Sequence, residues 1–356
     1  MSKILFAGAG TAGHVEPALA VAHWFKDHNP EFELLFLGTQ GGVENHLVPA
    51  HGFSLALVDK TPFPRKLNLD LAKWPLKFLR TFNQVRAQVK SADIVVGFGG
   101  YVAAPAYLAA KLHRLPIIAH EANAKKGMAN KLAEFCGATS LRAFGESTPE
   151  RVGIPLRSAI VDLAQKSPSD FLVAQHHARR AFHLDPEART ILIFGGSLGS
   201  VKFNSAVAGA LDEILATGVQ VIHAVGAQNE LPSAKPGYLP MHYIDEMAQA
   251  YAAADLVISR SGAVTVAEVG VLGLYSLFVP LPIGNGEQVE NAREVVALGG
   301  GEILDNAAFT SEWLAANILR LLDSANSWHA TGRCADFPLN AAEQIALRTL
   351  KELRHE

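Results

Sequence analysis

Short apolar runs alternate along the chain with longer segments in which apolar residues recur at helical spacing. The runs are nearly continuous instead of alternating with polar residues, as expected of strands that helices cover on both faces. This order favours an α/β fold with doubly wound parallel sheets. Five strands are predicted in the first half, over residues 4–7, 32–37, 53–58, 94–97 and 116–120.

The pattern restarts near the middle of the chain. A strand over residues 190–194 precedes a glycine-rich turn, as the first strand does, and two similar openings predict two similar domains. Residues 153–157 contain a proline and resemble a hinge, so we predict domains over residues 1–158 and 159–339. Residues 340–356 form a predicted amphipathic helix, for which the first domain is one candidate partner. Further strands are predicted over residues 219–224, 256–259, 276–279 and 302–304.

Composition and charge narrow the class of protein. A chain of 356 residues is longer than a single hydrophobic core usually supports, so two domains are expected. A composition of 49% hydrophobic and 18% charged residues is typical of an ordered globular protein. A formal charge of −3 gives no general attraction to nucleic acid. Two cysteines without metal-ligand spacing are expected to be buried free thiols. No apolar stretch reaches the length of a membrane span, so we expect a protein that stays in the cytoplasm.

The turn after the first strand carries a glycine motif. Gly8, Gly10 and Gly13 have a spacing that lets backbone N–H groups approach a phosphate, and Pro17 suits the opening of the following helix. Tight packing of a strand against its helix uses the same spacing, and this alternative stays open. The second strand ends at residues 38–40 without the carboxylate that dinucleotide-binding enzymes use for ribose. Neither glycine turn ends in Gly-Lys-Ser/Thr, which argues against a P-loop.

A second candidate site follows the strand over residues 256–259. Ser261 is the predicted N-cap of the next helix, whose first N–H groups would then be available to a diphosphate. Glu268 could bind both hydroxyls of a ribose or be an ordinary helix carboxylate. The glycine-rich loop 280–288 is either a ligand contact or a surface connection.

Residues 62–90 form a basic segment with large apolar side chains. It holds seven basic residues and one acidic residue, Asp70. This combination suits an anionic bilayer surface, although Phe78 and Phe82, four residues apart, could instead face the core. The basic residues are Arg65, Lys66, Lys73, Lys77, Arg80, Arg86 and Lys90, and the predicted membrane contacts are Lys73, Trp74, Lys77, Phe78, Arg80 and Phe82.

Six blocks in one order resemble the MurG family of glycosyltransferases. They cover residues 10–20, 97–101, 120–123, 195–197, 243–247 and 260–268. The resemblance implies a GT-B fold, in which two Rossmann-like domains face each other across a cleft. It also implies transfer of N-acetylglucosamine from UDP-N-acetylglucosamine to lipid I, undecaprenyl-pyrophosphoryl-N-acetylmuramyl-pentapeptide, to form lipid II in peptidoglycan synthesis. The expected location is peripheral, on the cytoplasmic face of the membrane, with cell-wall synthesis proteins as further partners.

The resemblance also assigns residues by position. The implied UDP-N-acetylglucosamine contacts are Thr11, Ala12, Gly13, Asn123, Arg157, Ser197, Ile244, Ala263, Val264, Thr265, Val266, Ala267, Glu268 and Gln288. Tyr101, His120 and Asn130 are expected to shape the acceptor site. The sequence departs from the family pattern at Ala9, Ala12, Leu198 and Glu287. A carboxylate at the last of these positions would sit poorly beside a diphosphate.

In the implied reaction, the 4-hydroxyl of N-acetylmuramic acid attacks the anomeric carbon, and the configuration at that carbon is inverted. His14 is the predicted base, since it follows the glycine turn and an imidazole titrates near neutrality, and Glu121 is its rival. No Asp-x-Asp occurs in the chain, so we predict no metal requirement and no cofactor. A nucleotide-sugar epimerase of the same architecture and, more remotely, an NAD-dependent oxidoreductase are the alternatives.

Overall fold

The computed structural model describes residues 2–61, 69–196, 198–282 and 285–354, with residues 69–73 described by their backbone alone. The chain divides into two units, Met1–Arg157 with Pro338–Glu356, and Ser158–Phe337. The predicted boundaries, after residues 158 and 339, lie beside these divisions. No helix within the described ranges is long and apolar enough to cross a membrane.

The first unit is a parallel six-stranded sheet in the order β3-β2-β1-β4-β5-β6. One face packs in a core around Leu5, Ala7 and Val95, and the other around Ile4 and Phe6. The strands are β1 (Lys3–Gly8), β2 (Glu33–Thr39), β3 (Ser54–Val58), β4 (Ile94–Gly99), β5 (Ile117–Glu121) and β6 (Thr139–Arg142). The helices are α1 (Ala12–His28), α2 (Glu44–Ala50), α3 (Leu69–Val89), α4 (Ala103–His113) and α5 (Met128–Phe135).

The second unit repeats this plan in the order β12-β11-β10-β7-β8-β9, again with parallel strands. Its strands are β7 (Thr190–Phe194), β8 (Gln220–Ala224), β9 (Tyr238–Met241), β10 (Leu256–Ser259), β11 (Ser276–Phe278) and β12 (Gly301–Ile303). Its helices are α6 (Ser158–Ala164), α7 (Pro168–Ala181), α8 (Val201–Ala216), α9 (Met247–Ala253), α10 (Ala263–Val271), α11 (Glu287–Ala297) and α12 (Ser311–His329). The prediction of two doubly wound parallel sheets is confirmed.

The last helix, α13 (Ala341–Leu353), belongs to the first unit. Ile345 and Ala346 are buried in the same core as Ile4 and Phe6. At the rim, Thr139 Oγ1 donates a 2.8 Å hydrogen bond to a carboxylate oxygen of Glu352. The chain therefore ends in the unit in which it begins.

Two details of the sequence prediction differ from the structure. The edge strands β6 and β9 were not predicted. Each has only four residues, and at least two of the four are partly exposed. A continuous apolar run is the signature of interior strands and does not extend to such edges. Both cysteines are free, but Cys334 is exposed, which makes the expectation of two buried thiols wrong.

Candidate active site

The first glycine turn connects β1 to α1 at the carboxyl edge of its sheet. Gly10 has a φ of +98°, which favours glycine, and Thr11 is extended before the helix starts at Ala12. Pro17 therefore lies inside α1, in its second turn, and the expectation that it opens the helix is wrong. The turn lies where the strand order reverses between β1 and β4, the usual place for a ligand in such sheets.

His14 lies in the first turn of α1, partly buried beside this loop. Its Nδ1 is 3.2 Å from Thr11 Oγ1. Burial lowers the pKa of His14 from its ordinary value, while a backbone hydrogen bond with Ala9 and the charges of Glu121 and Glu44 act in the opposite direction. The imidazole is accordingly neutral at neutral pH, the form that can accept a proton.

Glu121, at the end of β5, has both carboxylate oxygens engaged. Oε1 accepts hydrogen bonds from the backbone N–H of Asn123 at 3.0 Å and from its Nδ2 at 3.4 Å. Oε2 accepts from the N–H of Gly127 at 2.7 Å and from Asn130 Nδ2 at 2.9 Å. Glu121 therefore organises the loop that follows β5, and it could act as a base only by exchanging these bonds.

The predicted acceptor residues have very different environments. Tyr101 is exposed and lies beside Gly10, so it is available to a ligand. The side chain of His120 is fully buried, and its Nε2 donates a 2.7 Å hydrogen bond to the carbonyl of Gly153. Asn130 is also buried and accepts from the hydroxyl of Tyr107. The His120 and Asn130 side chains therefore hold loops within the first unit, and their contact with the acceptor stays a prediction.

In the second unit, a buried arginine lies at the carboxyl edge of the sheet. Arg260 donates through Nη1 to the carbonyls of Val279 and Pro280 and to Asn306 Oδ1, at 2.9, 3.2 and 2.7 Å, and through Nη2 to Ser200 Oγ at 3.1 Å. All these acceptors are neutral, and no described carboxylate forms an ion pair with it. A buried cation without an anion is unfavourable, so this edge of the sheet is suited to a negatively charged ligand. The sequence named Arg260 only within a block and missed this role.

The helix that follows, α10, begins one residue later than predicted. Gly262 is its N-cap, no side chain caps it, and the assignment of that position to Ser261 is wrong. Ser261 is buried, and its Oγ has no hydrogen-bond partner in the part of the chain that the structure describes. Because no side chain occupies the first-turn N–H groups, they remain available to an anion.

The residues predicted to contact the rest of the donor are in part engaged. Glu268 is buried on α10 and accepts a 2.9 Å hydrogen bond from the hydroxyl of Tyr251. Gln288 Oε1 accepts from the N–H of Leu281 at 2.9 Å, and Glu287 accepts from the N–H of Asn285 at 3.0 Å, so both close the loop before α11. The ligand contacts of Glu268 and Gln288 stay predictions. Among the other predicted donor contacts, the buried residues are Ala263, Val266, Ala267 and Ile244. The partly exposed residues are Ala12, Gly13, Val264, Thr265, Asn123 and Arg157, and the exposed residue is Thr11.

Two predicted residues fall outside what is described, namely Ser197 and the side chain of Lys73. Within the described ranges, no group of three or more His, Cys, Asp and Glu side chains is arranged to hold a metal ion.

On α3, the apolar side chains divide into two sets. Trp74, Phe78 and Phe82 are partly buried and stack along the helix, with ring centroids 4.9 and 6.4 Å apart. Leu76 and Leu79 are 74% and 54% exposed, next to the exposed Lys77 and Arg80. Over residues 74–89, the most exposed apolar side chains of this helix are therefore leucines, whereas the sequence prediction placed the aromatic side chains at the membrane.

Comparison with known proteins decides the family. Residues 4–139 match the glycosyltransferase family 28 N-terminal domain, and residues 190–346 match the family 28 C-terminal domain. The chain belongs to glycosyltransferase family 28. A Corynebacterium glutamicum relative, named UDP-N-acetylglucosamine–N-acetylmuramyl-(pentapeptide) pyrophosphoryl-undecaprenol N-acetylglucosamine transferase, is 47% identical over 90% of this chain and 89% of its own length.

Solved structures agree with membership of glycosyltransferase family 28. The crystal structure of Acinetobacter baumannii MurG has a TM-score of 0.71 at 28% identity and covers 99% of this chain and 100% of that one. The calicheamicin glycosyltransferase CalG4 has a TM-score of 0.61 at 16% identity, covers 99% of this chain and 98% of that one, and shows the fold alone. Each unit thus has the Rossmann-like architecture of the GT-B glycosyltransferases.

Proposed function

We propose that this chain transfers N-acetylglucosamine from UDP-N-acetylglucosamine to the N-acetylmuramyl unit of lipid I, forming lipid II in peptidoglycan synthesis. The observation that carries the proposal is the 47% identity to a transferase of that name over nine-tenths of the chain. The two candidate sites supply what the reaction needs. One offers a neutral imidazole, and the other offers the N–H groups at the start of α10 and a buried guanidinium for a diphosphate.

The second unit binds the donor in this proposal. When the bond from the anomeric carbon to the diphosphate breaks, UDP leaves with the electron pair, so negative charge develops on the diphosphate. The N–H groups at the start of α10 and the buried Arg260 are the donors assigned to that charge. Fixed N–H and guanidinium donors stabilise that developing charge without rearranging. The absence of Asp-x-Asp from the sequence supports transfer without a metal ion.

The first unit supplies the base. The 4-hydroxyl oxygen of the acceptor attacks the anomeric carbon from the face opposite UDP, and its proton passes to His14, so the product is inverted. His14 is preferred to Glu121 because it lies in the first turn of α1 beside the glycine turn and burial favours its neutral form. Both oxygens of Glu121 already accept hydrogen bonds. Tyr101, exposed beside the glycine turn, is available to the acceptor.

A membrane-bound acceptor requires contact with the bilayer, and we assign this to α3. Leu76 and Leu79 offer exposed apolar surface, and the neighbouring Lys77 suits anionic headgroups. Arg80 lies on the same exposed surface and forms an ion pair with Asp59. The protein would then work as a peripheral enzyme on the cytoplasmic face of the membrane.

The test is transfer of labelled N-acetylglucosamine from UDP-N-acetylglucosamine to a lipid I analogue, with and without a chelator. We expect one sugar transferred per acceptor, at the same rate in both conditions. Conversion of UDP-N-acetylglucosamine to another nucleotide sugar without transfer would instead favour the epimerase alternative. Activity that is lost in chelator and restored by Mg²⁺ would contradict the metal-independent mechanism.

A further inference from the structure

A buried carboxylate lies beneath the first glycine turn. Glu44, the first residue of α2, is 0% exposed and reaches back to the end of β2 and to the turn after β1. Its Oε1 accepts hydrogen bonds from the backbone N–H and the hydroxyl of Thr39, at 2.9 and 3.2 Å. Its Oε2 accepts a 3.0 Å hydrogen bond from the N–H of Gly10. No described cation pairs with it, so these three donors are what compensates its burial.

The surrounding sequence makes room for this carboxylate. A Cβ at Gly42 would lie 2.2 Å from Glu44 Oε2, and a Cβ at Gly38 would lie 2.6 Å from Glu44 Cγ. Gly42 has no positive φ, so its small size is explained by the carboxylate and not by backbone conformation. The segment from Gly38 to Glu44 is therefore built to direct this side chain toward the glycine turn.

We propose that Glu44 is a positioning residue for the transfer reaction, holding the Gly10 turn so that Thr11 and His14 are set at the reaction centre. Gly10 is the residue with positive φ, and fixing its N–H fixes the direction in which the chain enters α1. Two residues further, Ala12 starts the helix that carries His14. The expected effect on transfer rests on the proposed function, whereas the contact between Glu44 and the turn rests on the three hydrogen bonds.

The contact also bears on the ribose-binding acid that the end of the second strand lacks. An acidic residue exists a few positions later, but its two oxygens are directed inward to Thr39 and Gly10 and are not accessible to a ligand. Glu44 therefore shapes the loop and does not take the role of a ribose-binding acid.

The first test is Glu44→Gln. The amide keeps the size of the side chain but replaces one acceptor oxygen with a donor, which must face the N–H of Gly10 or Thr39. A buried unpaired donor changes an equilibrium by roughly ten-fold to a hundred-fold, and we expect kcat for transfer to fall by that factor. UDP binding measured by calorimetry should stay within about two-fold of wild type, because the diphosphate site is assigned to the second unit. The control is Asp93→Asn, whose exposed carboxylate accepts from the N–H of Lys3 at the opposite end of β1.

Two further readouts separate positioning from a general loss of stability. Hydrogen exchange of the amides in residues 8–14 should be faster in Glu44→Gln and unchanged in Asp93→Asn. The acidic limb of the kcat/KM profile should also move to lower pH, because the charges that face His14 are those of Glu121 and Glu44, and removing one of them lowers the pKa of His14 further.

A second variant covers the case in which Glu44→Gln does not fold. Gly42→Ala keeps the charge of Glu44 but places a methyl group against its carboxylate, so it should also lower kcat. Gln40→Ala, at an exposed position, should leave kcat unchanged. Normal kcat in Glu44→Gln or Gly42→Ala, with wild-type transfer intact, would overturn the positioning role. Unchanged exchange in residues 8–14 would overturn the loop contact even if the wild-type chain transferred no sugar at all.

Discussion

At the scale of single residues, three histidines show how burial serves different ends. Burial lowers the pKa of His14, and it lowers the pKa of His120 and His223 to about 4. His14 faces the glycine turn, where a neutral imidazole can accept a proton. His120 and His223 lie inside the two units, and each has one ring nitrogen without a hydrogen-bond partner among the described residues. The same physical effect would keep the proposed base neutral at His14, and at His120 and His223 it predicts sensitivity to acid.

Replacing His14 by Gln tests the base. Loss of a general base typically lowers a rate by about 10²- to 10⁴-fold, and we expect kcat to fall within that range while UDP binding is retained. In wild type, the acidic limb of kcat/KM should lie below pH 6.5, since burial lowers the pKa of His14 from that value, and the variant should lack this limb. His46→Gln, on an exposed position of α2, is the control. Normal turnover in His14→Gln, with activity abolished in a folded Glu121→Gln, would reverse the assignment of the base.

The buried histidines predict acid sensitivity. The pKa of His120 or His223 is about 4 in the native chain, against about 6.5 when unfolded. The unfolded chain therefore binds more protons between these pH values, and stability falls as the pH falls through this window, by up to about 3 kcal/mol for each histidine.

The measurement is urea unfolding at pH 7 and pH 4.5 for wild type, His120→Gln and His223→Gln. Both variants should be less stable than wild type at pH 7 but should lose less stability on acidification. The exposed His242→Gln should keep the wild-type difference. A wild-type-sized loss in both core variants would mean that other groups cause the acid sensitivity.

At the scale of elements, the sequence identified the interior strands because burial on both faces leaves a continuous apolar run, as in β1 and β4. It missed β6 and β9, which have few buried positions. Within the site, the glycine turn and the start of α10 could be read locally. The contact between Glu44 and Gly10 could not, because it joins residues 34 positions apart and its local pattern is only that of a helix carboxylate.

Helix α3 gives a prediction about the membrane. Leu76→Ser with Leu79→Ser removes its exposed apolar side chains, and burying a leucine in an apolar environment stabilises by about 1.5–3 kcal/mol. We expect at least a ten-fold loss of binding to anionic liposomes in a flotation assay, with kcat for a soluble acceptor analogue unchanged. Leu347→Ser, at a similarly exposed position on α13, is the matched control. Equal losses in both variants would remove α3 as the contact surface.

At the scale of the whole molecule, each unit has its own core, and the proposed function assigns the donor to the second unit. This assignment gives a prediction about where UDP binds. If UDP binds the second unit alone, saturation to 100 times its dissociation constant stabilises that unit by about 2.7 kcal/mol, equivalent to a slowing of roughly a hundred-fold. Amides in β7 and β10, which exchange when the unit opens, should slow by this factor in mass-spectrometric hydrogen exchange, while amides in β1 and β4 should not change. Arg260→Ala should reduce the slowing in β7 and β10, because the buried cation beside the diphosphate is lost. Slowing confined to β1 and β4 would place the nucleotide in the first unit and would contradict the assignment of Arg260 and α10 to the donor.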